Sequence, residues 1–94
     1  MNERKRAVKA HIHGKVQGVG YRIWARSEAT GLGLTGWVRN ERDGSVTAWL
    51  GGADAAVSAM IERLREGPQG ALVSRIDVEE IETSTAPGDF RIVA

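Results

Sequence analysis

The stretch "AVKAHIHGKVQGVGYRIWARSEATGL", Ala7 to Leu32, changes period in its middle, and that change decides the fold. Before the glycines, Val8, Ala10 and Ile12 alternate with Lys9, His11 and His13, the two-residue period of a half-buried strand. After them, Tyr21, Trp24, Ala25, Ala29 and Leu32 recur at helical spacing, and Gly31 and Gly33 supply a stop. Between the two lies "GKVQGVGYR", Gly14 to Arg22, a bare backbone with a cation where the helix begins. The first unit therefore reads strand, glycine loop, helix.

Further along, Leu34–Asn40 and Ser45–Leu50 read as strands rich in Val and Trp, joined as a hairpin through Glu41-Arg42-Asp43-Gly44. Gly51-Gly52 reads as the break that ends the hairpin. Val57, Met60, Ile61 and Leu64 then follow the i, i+3, i+4, i+7 rule of an amphipathic helix, with Asp54 as the expected N-cap and Gly67-Pro68 as its end. Val73–Ile81 reads as a fourth strand, Ala86-Pro87-Gly88 as a turn, and "DFRIVA" as a short final strand through Phe90 and Ile92. The order β-α-β-β-α-β plus a terminal strand is the split-βαβ arrangement, an α+β sandwich with two helices on one face of an antiparallel sheet.

Composition narrows the function classes. A chain of 94 residues is read as one domain, 1–94, with residues 1–6 expected to form a flexible N-terminal tail. No apolar run approaches the roughly 20 residues needed to cross a bilayer, and "MNERKRAVKA" has no apolar segment behind its charges, so a cytoplasmic protein is expected. No cysteine is present, which removes disulfides, thiolate nucleophiles and thiolate metal sites. A net charge of +1 argues against a dedicated polyanion binder.

Of the motifs, Gly31-x-Gly33-x-x-Gly36 has the letters of a dinucleotide fingerprint but follows a helix and precedes a strand, the reverse of what pyrophosphate binding needs. The loop Gly14–Gly20 has the productive order. Glycines let successive N–H groups converge, and a helix start adds unpaired N–H groups and the positive end of its dipole. Arg22 at that end is unfavourable by a few tenths to about 1 kcal/mol unless an anion sits between. A solvent-facing arginine beside a tight crossover also fits these residues; the anion site is modestly preferred. Asn40, taken alone, reads as a turn former, and Trp37 and Trp49 as sheet packing, because the aromatic run of RNA-reading sheets is absent. His11 and His13 share a strand face with no third ligand beside them and read as surface residues.

Two long stretches carry a resemblance. "GKVQGVGYR" is similar to the acylphosphatase signature Gly-x-Val-Gln-Gly-Val-x-Phe/Tyr-Arg at every fixed position. Gly36-Trp37-Val38-Arg39-Asn40, then Gly44-x-Val46 and Gly52, resembles that family's second signature at the expected separation. The resemblance implies a ferredoxin-like fold and hydrolysis of a carboxyl-phosphate anhydride to carboxylate and inorganic phosphate, with no metal and no cofactor. It further implies that the backbone of Lys15, Val16, Gln17, Gly18, Val19, Gly20 and Tyr21 holds the phosphate, that Arg22 binds it through its side chain, and that Asn40 orients the attacking water. The partners implied are a small acyl phosphate and inorganic phosphate as product or inhibitor, without nucleic acid or membrane. Family members also occur as a domain of larger hydrogenase-maturation proteins; this chain reads as free-standing and monomeric. The alternative expectation is a non-catalytic small-anion or RNA-binding domain on the same fold.

Overall fold

A computed structural model of the protein describes residues 4–83 and 88–93. Its elements are β1 (Lys5–Lys15), α1 (Tyr21–Gly31), β2 (Thr35–Asn40), β3 (Val46–Ala53), α2 (Asp54–Glu66), β4 (Leu72–Glu80) and β5 (Phe90–Val93). They form one five-stranded sheet in the order β4-β1-β3-β2-β5, with both helices against one face. This is the split-βαβ order expected from the sequence. The sheet is mixed, however: β5 runs parallel to β2, pairing Gly36 with Phe90 and Val38 with Ile92, so the terminal strand departs from a purely antiparallel sheet. The reason is topological, since β4 occupies the far edge beside β1 and the returning chain reaches the open side of β2 in the same direction.

Alternation decides which residues meet the helices. Val8, Ala10 and Ile12 of β1, Val38 of β2, and Val46, Ala48 and Leu50 of β3 are fully buried under Ala25 and Ala29 of α1 and Val57, Met60 and Leu64 of α2. Each large side chain removed from water in this way contributes roughly 1.5–3 kcal/mol before the entropy of ordering it is subtracted. The opposite face carries Lys9, His11, Thr47, Trp37 and Arg39. Trp37 and Trp49 are direct cross-strand partners there. The Arg39 guanidinium lies 4.8 Å from the Trp37 ring centre, and Trp49 is 7% exposed. The tryptophans are thus packed against the sheet rather than offered as a base-stacking platform.

Three local expectations change. Residues Lys5 and Arg6 belong to β1 rather than to a tail, because the Arg6 guanidinium bridges Glu80 at 2.7 Å, Ser58 at 2.9 Å and Asp54 at 3.4 Å. Gly51-Gly52 does not end the hairpin, since β3 runs through both to Ala53. A Cβ at Gly51 would lie 2.7 Å from the Trp49 ring and one at Gly52 2.8 Å from the Leu34 side chain, so these glycines make room for neighbours inside a continuous strand. Asp54 is the first residue of α2 and not its cap: Ala53 holds that position, and Asp54 N–H donates to the Arg4 carbonyl at 2.8 Å. The turn expected at Ala86-Pro87-Gly88 lies largely outside the described residues. No helix among the described residues is long and apolar enough to cross a membrane.

Candidate active site

β1 ends at Lys15, α1 starts at Tyr21, and the loop between them arches beside the last residue of β2, Asn40. These three pieces enclose a cavity of about 110 Å³. Its wall is made by Val16, Gln17, Gly18 and Gly20 of the loop, Tyr21, Arg22 and Ile23 of the first turn of α1, and Asn40. Asn40 thus meets residues 17 to 24 positions before it, because β1 and β2 end at the same side of the sheet, each paired with β3.

The loop owes its shape to two residues. Gly18 and Gly20 take φ of 75° and 76°, the left-handed region that side chains resist, while a Cβ at either would meet nothing within 4 Å. The demand is for backbone conformation and not for space. Gly14 is different, because a Cβ there would collide with the Leu72 carbonyl at the register shift between β1 and β4. Gly14 therefore serves the sheet, whereas Gly18 and Gly20 serve the cavity.

α1 begins with no side-chain cap and no acidic residue in its first turn. Its first intrahelical bond runs from Trp24 N–H to the Gly20 carbonyl at 3.0 Å, so the N–H groups of Tyr21, Arg22 and Ile23 precede the helical ladder. Arg22 stands in this already positive place and takes part in none of the ion pairs of the described residues. Asn40 contributes an uncommitted amide: its Oδ1 is buried without a hydrogen-bond partner among the described residues. An unpaired buried acceptor costs on the order of 1–3 kcal/mol. Arg22, the N-terminal turn of α1 and Asn40, lining one small cavity, suit an oxyanion with a water beside it.

Of the expected phosphate loop, Val16, Gln17, Gly18, Gly20 and Tyr21 line the cavity, and so do Arg22 and Asn40. Lys15 and Val19 do not: Lys15 pairs with Leu72 at the end of β1, and Val19 packs against the core. Tyr21 offers only its backbone, because its ring is buried and its hydroxyl donates to the Leu64 carbonyl at 2.7 Å. That bond satisfies a carbonyl in the last turn of α2 and pins the start of α1; burial pushes the Tyr21 hydroxyl well above the ordinary tyrosine range. Sequence reasoning missed Ile23, an exposed aliphatic side chain on the cavity rim. Its apolar character on the solvent side of an amphipathic helix, next to Arg22, was the available signal.

The turn after Asn40 is braced by its own side chains. The Thr47 hydroxyl first, and the Arg39 guanidinium at 3.0 Å second, hold the Glu41 carboxyl below the usual carboxylate range. Asp43 accepts from the Ser45 hydroxyl and, at 2.9 Å, from its N–H, which lowers that carboxyl as well. Thr47 also lies 3.3 Å from His11 Nδ1, and His13 Nε2 is 3.3 Å from Asp77, so both histidines are engaged on the outer sheet face. Among the described residues, no group of three or more His, Cys, Asp or Glu is placed to hold a metal ion.

The acylphosphatase family model matches residues 8–92 of the chain. An acylphosphatase of Mesorhizobium japonicum is 83% identical over 94 residues, the whole of both chains. Among solved structures, an acylphosphatase from Coxiella burnetii matches with a TM-score of 0.90 at 37% identity, covering 95% of this chain and 93% of that one. The acylphosphatase from Bacillus subtilis matches with a TM-score of 0.91 at 31% identity, covering 95% and 99%. A family model spanning nearly the whole chain, full-length identity at this level, and a cavity built by both signature stretches lead to one conclusion: this chain belongs to the acylphosphatase family.

Proposed function

We propose that the protein hydrolyses acyl phosphates to a carboxylate and inorganic phosphate by direct attack of water, with Arg22 and Asn40 as the catalytic residues and the loop backbone as the phosphate cradle. The observation that carries this reading is the meeting of Arg22, an uncapped helix N-terminus and the unpaired Asn40 amide in one cavity.

The reaction asks little beyond what these groups supply. A carboxylate leaving group departs without protonation, so no general acid is needed. Phosphoryl transfer through a loose transition state depends on in-line placement and on stabilising charge at the transferring oxygens. The N–H groups around Gly18, Gly20 and the first turn of α1 point donors at those oxygens, and the Arg22 guanidinium adds a forked, charge-assisted pair. The Asn40 amide holds the attacking water, and a phosphoryl oxygen of the substrate accepts its proton as the P–O bond to the acyl group breaks. No step requires a metal or a cofactor. The phosphate is the recognised group, so the acyl part is left at the cavity mouth beside Ile23. We read the molecule as a cytoplasmic monomer; the polar side chains of Lys9, His11, Arg75 and Asp77 on paired positions of β1 and β4 support the monomeric part of that reading.

The test is hydrolysis of an aryl acyl phosphate followed with and without a chelator, with inorganic phosphate as inhibitor. Turnover that survives the chelator and is competed by phosphate is expected. Phosphate binding without any turnover would instead favour a non-catalytic anion-binding domain.

A further inference from the structure

We propose that the Gln17 side chain is a positioning residue that holds Asn40 at a fixed place relative to the phosphate cradle; this inference rests on the hydrolytic reading of the cavity. Gln17 sits in the loop, immediately before the left-handed Gly18. Its Nε2 donates to the Glu41 carbonyl at 2.8 Å and to the Ser45 carbonyl at 2.9 Å. Both partners are acceptors only, so the NH2 end of the amide must face them and the orientation is unambiguous. Both protons of that group are thereby used, and Gln17 has no side-chain donor left for a phosphate.

The two carbonyls are significant by position. Glu41 directly follows Asn40, and Ser45 directly precedes Val46, the cross-strand partner of Asn40. Glu41 N–H also donates to the Ser45 carbonyl at 2.8 Å, closing the mouth of the β2-β3 turn. Gln17 therefore grips the turn at both sides of its mouth and ties it to the loop across 24 and 28 residues of chain. Nothing else in the side-chain hydrogen bonds of the described residues joins loop and turn in this way. The cradle has its own determinants, the left-handed glycines and the start of α1 pinned through Tyr21. Removing the Gln17 amide leaves these in place and frees the strand end that carries Asn40. A misplacement of about 1 Å between reacting groups costs on the order of 100-fold in rate, so a loosened Asn40 lowers turnover while phosphate affinity stays.

The experiment is a double-mutant cycle of Gln17→Leu and Asn40→Ala on the full chain, reading kcat, KM and inhibition by inorganic phosphate. Gln17→Leu is expected to lower kcat about tenfold or more with unchanged phosphate inhibition, and to lower it no further once Asn40 is already alanine. A fall of equal size in the Asn40→Ala background, or a loss of phosphate inhibition matching the loss of kcat, would overturn the inference. Gln17→Glu keeps the shape and, once protonated, returns a single donor. Its kcat, relative to the unsubstituted protein, should recover as pH falls through the carboxyl's pKa, and a flat ratio would count against the inference should Gln17→Leu fail to fold. An unsubstituted protein that turns over no acyl phosphate would overturn the hydrolytic reading itself, and this inference with it.

Discussion

The two helices begin in opposite electrostatic states. α2 opens with Asp54 in its first turn and closes with Arg63 and Arg65 in its last, so its charges complement the helix dipole at both ends. Neither helix has a side-chain cap, but α1 opens with no acid, has Arg22 in its first turn, and has no basic residue in its last. The N-terminus of α2 is also tied down, with Asp54 N–H bonded to the Arg4 carbonyl and its carboxylate beside Arg6. The N-terminus of α1 instead faces a cavity. One helix has both ends of its dipole matched by its own side chains; the other turns its positive end toward the cavity, where we propose that an anion binds.

The largest expected effect comes from breaking that arrangement at Arg22. Arg22→Gln should lower kcat/KM on the order of 10³-fold and abolish inhibition by phosphate, with Arg22→Lys recovering little because an ammonium cannot reproduce the fork. Undiminished phosphate inhibition of Arg22→Gln would end the contrast between the helices. Asn40→Ala should lose on the order of 10²-fold in kcat and keep phosphate inhibition, because it removes the group beside the water and not the anion's partners. Phosphate should raise the melting temperature of the Asn40→Ala protein and leave that of Arg22→Gln unmoved.

Smaller effects sharpen the comparison. Ile23→Glu gives α1 the first-turn acid that α2 has, so it should stabilise the phosphate-free fold by about 0.3–1 kcal/mol in denaturant titrations while weakening phosphate binding. Loss of stability together with unaltered phosphate binding would contradict the electrostatic account. The converse change, Asp54→Asn, should cost a few tenths to about 1 kcal/mol and leave turnover unaltered. The pH dependence follows from Glu41, whose carboxyl is held below the ordinary glutamate value of 4.5 by Thr47 and then Arg39. The unfolded chain binds the proton more readily, so this stabilisation is complete above about pH 5 and is lost as pH falls through the lower folded value. Thr47→Val should flatten that acid limb in unfolding midpoints taken between about pH 3 and 6.

Much of this is legible in the sequence. The change of period at the glycine loop placed β1 and α1, and the i, i+3, i+4, i+7 pattern placed α2 on the residues that are buried. The left-handed glycines and the cation at the start of α1 were readable because they are local features. The passage through Gly51-Gly52 was not, because the reason for those glycines is the Trp49 ring and the Leu34 side chain pressing on them. Nor was the separate duty of Gly14, whose constraint is a carbonyl on β4, 58 residues away by numbering from Gly14 to Leu72. Asn40 by itself reads as a turn former, and only the resemblance singles it out; that it lines a cavity with Arg22 and that its Oδ1 is unpaired are visible only in the fold.

The sequence by itself determined the alternation, the helical faces, the bare loop and the charge at the head of α1, since each depends on spacings of a few residues and on backbone freedom at single positions. The tertiary structure alone decided that Asn40 stands beside Arg22, that Tyr21 spends its hydroxyl on Leu64, and that Gln17 grips the β2-β3 turn. Those are contacts between segments remote in the chain, and they are set by the order in which strands pair in the sheet and by which strand ends lie together, quantities that no local period encodes.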